Sequence, residues 1–372
     1  MPPLKSLPDK FLMVFGQQKR LVADRPSASF SLTLASRMRG LVLVAGVVIG
    51  AHAHAHAPSE GASAPVQPNR DVSQWVEHMR GAVCQSPYSG TFVVMSASGA
   101  MSSSRITQAC DGGVQIEKVE SLTGAPRTVY RRNGEMRTFF GSTRTVRTDR
   151  ADTLAVFPQP SAVPGAQLSQ FYSAKRLGSE RVAGRMADVL WFKPQDDLRL
   201  GYRIWSDQAT GLVMKLQTLA VDGRVVEQAA FSEIDWNAPV RAEDLSRSMD
   251  AIAGFQVVSV DVRKTSAQSE GWGLRQPVEG FVPVQCYRRT LATQADTRSV
   301  LQCSYSDGLA SVSLFLEPLD AVRHADLQSQ EVSMGATQLL GRKVGEDAWL
   351  TVVGEVPRKT LYRFSQAWVR LR

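Results

Sequence analysis

Short runs rich in apolar residues recur along the chain after residue 88, and each run has the length of a β-strand. Glycine-containing turns separate the runs, and the pairs Asn133-Gly134 and Asp222-Gly223 are typical of two-residue hairpins. The strands predicted in this first region are 91–95, 105–107, 114–119, 128–130, 137–140, 180–182, 187–192, 202–205, 212–215 and 225–231. Together they predict one large, curved, antiparallel sheet.

Two stretches carry apolar residues at helical spacing instead. Asp71 is a suitable N-cap for a helix in which Trp75 and Met79 lie one turn apart. Pro357 opens a second helix near the end of the chain, and its apolar face consists of Leu361, Phe364 and Trp368. The strands predicted before this second helix are 281–287, 299–305, 310–316 and 349–353. This order predicts a small sheet with a packed helix, so the fold class is α+β.

The two groups of strands predict two domains joined by a polar segment. The predicted division of the chain is a signal region 1–57, a flexible leader 58–70, a first domain 71–236, a linker 237–254 and a second domain 255–372. Domains of roughly 100–200 residues agree with this division. The segment 141–170 contains three prolines and is interpreted either as a functional loop or as an ordinary connection.

The beginning of the chain has the pattern of a secretory signal. Met38-Arg39-Gly40 forms a short basic head, residues 41–49 form an apolar core, and the Ala/His alternation up to Ala57 provides small residues for cleavage. The core is too short to cross a bilayer, which needs about 20 residues, so a soluble exported protein is predicted. Residues 1–36 precede this pattern, which favours Met38 as the true start over an unusually long basic head.

Removal of the signal changes the charge and the histidine count. The 372-residue chain has a formal charge of +8, but its first 57 residues hold seven Lys/Arg and two Asp/Glu, which leaves about +3. This low charge and export argue against a nucleic-acid partner. Three of the five histidines are removed as well, and the remaining two, His78 and His324, are predicted to be surface residues.

Four cysteines in an exported chain predict disulfides. Three pairings are open, and we favour Cys84–Cys110 and Cys286–Cys303 because each pair lies within one predicted domain. Each bond closes a loop of roughly 20–30 residues, which stabilises the fold by about 3 kcal/mol. The chain has no C-x-x-C motif, and the cysteine spacings do not suit zinc.

No catalytic motif stands out in the sequence. The chain lacks the G-x-S-x-G motif of serine hydrolases and the H-E-x-x-H motif of zinc proteases. It also lacks a P-loop and a dinucleotide-binding fingerprint. Paired acids at Asp196-Asp197 and Glu346-Asp347 more often lie in turns, although a glycosidase pair of distant carboxylates stays open. We therefore predict no enzyme, no cofactor and no metal site. Arg131-Arg132 and Arg288-Arg289 are basic doublets, interpreted either as solvated charge at a sheet edge or as contacts to acidic groups of a partner or lipid.

Several stretches have the order and spacing of one known family. In the first region they are Trp75–Met79, 88–92, 104–106, 120–124, Arg127, 181–185, 202–205 and 210–212. In the second region they are 279–281, 305–309, 335–336 and 351–357. Each stretch alone is a weak signal, but the whole order resembles the MucB/RseB family of periplasmic regulators of the sigma-E envelope stress response.

The resemblance implies a first domain similar to the LolA/LolB lipoprotein carriers, a half-open sheet around helices, followed by a smaller domain. It implies a periplasmic protein that binds the periplasmic region of a membrane anti-sigma factor of the RseA/MucA type and shields it from proteolysis. It also implies sensing of lipopolysaccharide or lipoprotein acyl chains. For the partner contact we predict Arg288, Arg289, Tyr305 and Asp307 of the second domain, and a homo-oligomer stays open.

Rival functions remain at this point. A lipoprotein or lipid carrier needs only the first domain, so the second domain argues against it. The sequence is also compatible with an envelope hydrolase and with a purely structural envelope protein.

Overall fold

The computed structural model describes residues 70–150, 168–259, 261–292, 297–324 and 331–371. The predicted signal region lies outside the described residues, as do the leader up to residue 69 and most of the proline-containing segment. Within the described ranges, every helix falls short of the length and apolar content that a bilayer crossing requires.

Twelve strands form the first sheet. Their bounds are β1 Tyr88–Ser96, β2 Met101–Asp111, β3 Val114–Ser121, β4 Arg127–Arg132, β5 Glu135–Phe140, β6 Thr145–Arg150, β7 Tyr172–Val182, β8 Arg185–Pro194, β9 Gly201–Asp207, β10 Val213–Leu219, β11 Val225–Asp235 and β12 Gln256–Ser259. Strands β1–β6 follow one another as an antiparallel meander, and β7–β11 form a second meander whose last strand pairs with β1. Strand β12 pairs in parallel with β6 at one edge. The large antiparallel sheet predicted for the first region is confirmed.

Both predicted hairpin signals lie in turns. Asn133, with a φ of +51°, lies between β4 and β5, and its side-chain oxygen accepts the backbone N–H of Gln115 at 2.9 Å. Gly223, with a φ of +82°, lies between β10 and β11. Asn and Gly adopt such angles at lower cost than other residues, which is why these positions turn the chain.

Helices pack against the sheets at both ends of the described chain. The α-helices are α1 Val72–Ala82, α2 Leu168–Phe171, α3 Ala242–Asp250, α4 Ala321–His324 and α5 Arg358–Ala367. Helix α1 begins at the predicted N-cap, since the Asp71 carboxylate accepts the Gln74 N–H at 2.9 Å and the Gln74 side chain accepts the Asp71 N–H at 3.0 Å. This reciprocal pair fixes the first turn of the helix.

The apolar face of α1 covers a cluster of side chains on the first sheet, which we call the α1 cluster. Its members are Val72, Trp75, Val76, Met79, Leu168, Tyr172, Leu190, Phe192, Tyr202, Ile204 and Leu216. All of them are buried. Burial of apolar surface at this scale stabilises a helix that is too short to be stable alone.

Helix α3 lies within the segment 237–254, for which the sequence predicts a linker. Ala242, Leu245 and Met249 occur at helical spacing and pack with Ala109 of β2. Because Ile106 of the same strand packs in the cluster of the α1 residue Ala82, α1 and α3 lie on opposite faces of the sheet. The polar residues on the outer side of α3 are what give the segment the composition of a linker.

Nine strands follow in the second part of the chain, within the described ranges. Their bounds are β13 Asp261–Thr265, β14 Trp272–Leu274, β15 Val282–Ala292, β16 Thr297–Ser306, β17 Ser311–Pro318, β18 Glu331–Met334, β19 Thr337–Val344, β20 Ala348–Gly354 and β21 Trp368–Arg370. Seven of them form a sheet in the order β13-β15-β16-β17-β20-β19-β18, and β14 pairs with β21. Helix α5 packs on this sheet through Phe364, which contacts Phe281 and Tyr305. The α+β class is confirmed.

Asp207 at the end of β9 provides a pH-dependent contribution to stability. Burial alone would raise the pKa of its carboxyl, but hydrogen bonds from Arg185, at 2.7 and 3.0 Å, and from Thr210 lower it below the ordinary value. A lowered pKa in the folded state stabilises the fold above the unfolded-state pKa of about 4, and this contribution disappears as the pH falls through the folded-state pKa.

We expect Asp207→Asn to lower the free energy of unfolding at pH 7 by about 1–3 kcal/mol. Urea unfolding of the wild type and the variant at pH 7, 5, 4 and 3 measures this loss. The difference between the two proteins should shrink below pH 4, because protonation removes the same charge from the wild type. A difference that grows towards pH 3 would contradict the assignment.

Candidate functional site: the junction between the two sheets

The two sheets meet at a contact that we call the junction. It consists of residues 168–172 and 195–200 on the side of the first sheet, and of 278–281, 306–310 and 358–361 on the side of the second. Only residue 260 separates β12 of the first sheet from β13 of the second. Both the chain path and the side-chain contacts therefore join the sheets closely.

The turn between β16 and β17 enters the first sheet's side of the junction. Asp307 fixes this turn, because its Oδ1 accepts the N–H groups of Leu309 at 2.9 Å and Ala310 at 2.7 Å. Asp residues often stabilise turns in this way. Leu309 at the tip packs against the α1 cluster. The local sequence thus builds a rigid projection on the second sheet.

A buried ion pair links the projection to the first sheet. Arg199 Nε donates to Asp307 Oδ2 at 2.7 Å, and both side chains are 0% exposed. Tyr172 donates its hydroxyl to the same carboxylate oxygen at 3.4 Å. A buried carboxylate without its cation would cost several kcal/mol, so the pair holds the two sheets together only while both members are present.

Arg199 lies between two aromatic rings as well as beside the carboxylate. Its guanidinium carbon is 4.1 Å from the ring centre of Phe171 and 4.9 Å from that of Phe281. One guanidinium nitrogen donates to the Glu279 carbonyl at 2.8 Å, and another contacts Asp196. The planar guanidinium group suits this arrangement because it stacks and donates at the same time.

Gly280 leaves the space that Arg199 fills. Its φ is +77°, which favours glycine, and a Cβ at this position would overlap an Arg199 nitrogen and lie 2.6 Å from the Phe171 ring. The glycine is therefore required both by the backbone angle and by the close approach of the first sheet's side chains.

Helix α5 adds a second set of contacts to the junction. The buried Thr360 hydroxyl donates to the Leu198 carbonyl at 2.6 Å, and Lys359 pairs with Asp197 at the surface. Two contacts lie outside the junction: the backbone N–H of Ala336 donates to Glu227 at 3.3 Å, and Arg289 pairs with Asp149 at 2.7 Å. Among the described residues, the sheets are thus held together at three separate places.

Asp307, Arg199 and Tyr172 form the buried polar centre of the junction. Burial raises the pKa of the Asp307 carboxyl, although Arg199 and the two turn N–H groups oppose the rise. Burial and the nearby Asp307 raise the pKa of the Tyr172 hydroxyl well above its ordinary value, so the hydroxyl stays protonated. Because the Arg199 and Asp307 side chains are fully buried, this arrangement is suited to fix the relative position of the two sheets rather than to receive a substrate.

The four residues predicted for partner contact all have partners within the chain. Asp307 lies in the junction, and Tyr305 packs on Phe364 beside it. Arg288 and Arg289 lie on β15, where they pair with Glu270 and Asp149. The structure thus places Tyr305 and Asp307 together and the two arginines apart from them. Their contact with a partner protein stays a prediction.

Arg199, Gly280 and Thr360 are the junction residues that the sequence reasoning missed. Arg199 stands between two leucines, a weak signal of burial, and Gly280 lies in one of the stretches shared with the resembled family. Thr360 gives no signal, because a threonine in the first turn of a helix is ordinary. Asp196 of the acid pair contacts Arg199, and its neighbour Asp197 pairs with Lys359 of α5.

The predicted disulfides are confirmed, whereas one of the two histidine predictions is wrong. The structure contains both expected disulfides, Cys84–Cys110 and Cys286–Cys303. The surface prediction for His324 is wrong: its side chain is buried, and its ring stacks on Trp349 at a centroid distance of 4.7 Å. A polar neighbourhood in the sequence hid this position. His78 is half-buried beside Trp75.

Comparisons with known proteins match both parts of the chain. Residues 71–249 match the MucB/RseB N-terminal domain and residues 266–368 the MucB/RseB C-terminal domain. The sigma factor AlgU regulatory protein MucB of Pseudomonas aeruginosa is 32% identical over 310 residues, which cover 80% of this chain and 91% of that protein. The sigma-E factor regulatory protein RseB of Escherichia coli K12 is 29% identical over 203 residues, 54% of this chain and 60% of that protein.

A solved structure agrees with these matches. The complex of MucA and MucB from Pseudomonas aeruginosa contains a chain with a TM-score of 0.61 and 28% identity, covering 81% of this chain and 99% of that one. The likeness extends over both sheets rather than one of them. The chain therefore belongs to the MucB/RseB family.

Proposed function

We propose that this chain is a periplasmic regulator that binds the periplasmic region of a membrane anti-sigma factor and shields it from proteolysis. The observation that carries the proposal is the likeness over 91% of MucB, a protein solved in complex with MucA. Such a regulator acts by binding. The two disulfides support an exported protein, because such bonds persist in oxidising compartments.

The junction supports a binding surface built from both sheets. Since Arg199, Asp307 and Thr360 are fully buried between the sheets, the two parts present their outer residues in a fixed relation. A partner that contacts both parts then loses less conformational freedom on binding than one that must order them first. Arg288 and Arg289, with side-chain exposures of 25% and 16%, stay among the proposed partner contacts.

Binding is tested with the exported protein and the periplasmic segment of the anti-sigma factor from the same organism. We expect saturable binding by calorimetry, co-elution on a sizing column, and slower cleavage of the segment by the protease that degrades it. The Arg224→Met variant, which changes an exposed pair away from the junction, serves as a control with unchanged affinity. Absence of saturable binding would exclude the proposal, and peptidoglycan zymography tests independently for hydrolase activity.

We propose further that acyl chains of lipopolysaccharide or lipoprotein weaken this binding. The support is the α1 cluster, an apolar surface that α1 covers together with Leu168 of α2 and Leu309 of the turn before β17. Each buried CH₂ group of an acyl chain contributes about 0.8 kcal/mol. If the lipid and the anti-sigma factor favour different arrangements of the two sheets, each ligand lowers the binding affinity of the other by the same factor. Titration of a lipid A-type ligand into the preformed complex tests the coupling, and an unchanged partner affinity would contradict it.

A further inference from the structure

The two disulfides lie in different surroundings. Cys286 and Cys303 face each other across β15 and β16, are 8% and 0% exposed, and belong to the core of the second sheet. Cys84 is exposed and follows the end of α1, whereas its partner Cys110 is half-buried on β2. The first bond therefore includes an exposed residue that a thiol in solution can approach, whereas both residues of the second bond are buried.

Gln108 distinguishes the two sulfurs of the exposed bond. Its side chain is buried, at 2% exposure, and its amide nitrogen donates to Cys110 Sγ at 3.6 Å. A hydrogen-bond donor aimed at a sulfur stabilises the negative charge that forms there when the bond breaks, and a better-stabilised thiolate leaves faster. Exposure thus makes Cys84 the sulfur that is attacked, and Gln108 makes Cys110 the sulfur that leaves.

We propose that Cys84–Cys110 is a thiol–disulfide exchange site, opened by a dithiol reductant that attacks Cys84. The reductant's thiolate forms a bond to Cys84 Sγ while the Cys84–Cys110 bond breaks, and Cys110 leaves as a thiolate held by Gln108. The second thiol of the reductant then attacks the mixed disulfide and releases Cys84. The reductant is oxidised to its disulfide, the protein gains two electrons, and both released thiolates take up protons from water.

Opening this bond acts on helix α1. Cys84 lies two residues beyond the last residue of α1, so the disulfide ties the end of the helix to β2. Without it, α1 is an eleven-residue helix held by its apolar face and a few polar contacts, such as that of Ser73 with Ser169 at 3.4 Å. Helices of this length are marginal on their own. Reduction therefore loosens the cover of the α1 cluster.

The first test follows the order and the direction of reduction in the full-length exported protein. Reduced glutathione is added, samples are quenched with N-ethylmaleimide at intervals, and modified cysteines are mapped by peptide mass spectrometry. We expect Cys84–Cys110 to open at least tenfold faster than Cys286–Cys303, with early molecules that carry glutathione on Cys84 and the alkyl group on Cys110. Equal opening rates, or glutathione mainly on Cys110, would overturn the proposal.

A variant and a second readout separate the chemistry from general loss of structure. Gln108→Leu removes the donor, and we expect it to slow opening several-fold while the urea midpoint is recorded alongside. Hydrogen exchange of the wild type after dithiothreitol treatment should show faster exchange in residues 72–82 and unchanged exchange in β16. Unchanged exchange in α1, or an equal increase in both elements, would show that the bond does not control the helix. Anti-sigma factor binding enters none of these measurements, so they stand independently of the proposed function.

Discussion

Replacement of Arg199 by methionine is expected to lower the free energy of unfolding by about 3–5 kcal/mol. Methionine keeps much of the side-chain volume between Phe171 and Phe281, but it leaves the fully buried Asp307 carboxylate without its cation. The Glu279 carbonyl loses its donor as well. Urea unfolding followed by far-ultraviolet circular dichroism measures the loss.

Two controls show whether the loss comes from the buried charge. Arg199→Met combined with Asp307→Asn removes both charges and should recover about half of the lost stability, since Asn can still accept the two turn N–H groups through its side-chain oxygen. Arg224→Met breaks the exposed pair with Asp222 and should leave the stability nearly unchanged. An equal loss in the Arg199 and Arg224 variants would contradict a structural role of the junction.

Gly280→Ala is expected to destabilise the fold by about 2–5 kcal/mol, the second largest effect. A φ of +77° costs an alanine about 1–2 kcal/mol. Its methyl group would also press on Phe171 and on the buried Arg199, and overpacking of this kind costs about 1–3 kcal/mol. Thermal and urea unfolding of the variant test the combined effect.

Gly271 provides a matched control for this substitution. Its φ of +78° is nearly the same, but a Cβ there would meet nothing within 4 Å. Gly271→Ala should therefore show the backbone cost alone, about 1–2 kcal/mol, and the difference between the two alanine variants measures the crowding at the junction. Two equal losses would mean that Phe171 and Arg199 adjust freely, in which case the junction is looser than its contacts suggest.

Local signals in the sequence were sufficient for the elements that are stabilised locally. Asp71 predicted the start of α1 because an N-cap bonds to residues three positions away, and Asn133-Gly134 predicted a hairpin because the turn needs a positive φ. Short runs of apolar residues between turn residues predicted the strands, because this pattern can be recognised within a few positions of the sequence. The sequence did not predict helix α3, because the helix has only three buried apolar residues. These residues stabilise it only by packing against Ala109, which lies far away in the chain.

The candidate site depended on contacts that no local pattern encodes. Asp307 was predicted as a contact to a partner protein, yet in the structure it pairs with Arg199, which lies 108 residues away and carries no signal beyond its two apolar neighbours. The burial of His324 follows from stacking on Trp349 of β20, 25 residues further along the chain. Pairings of this kind are decided by how the sheets pack, so composition and periodicity cannot reveal them.

The passage of the chain at residue 260 limits how the two sheets can move. Strands β12 and β13 end and begin one residue apart, so their facing ends can separate by no more than about 7 Å even when the backbone is fully stretched. If the contacts at all three places between the sheets opened, the backbone at residue 260 would still keep the two halves tethered. Rotation about this tether would then displace most the edges that lie farthest from residue 260.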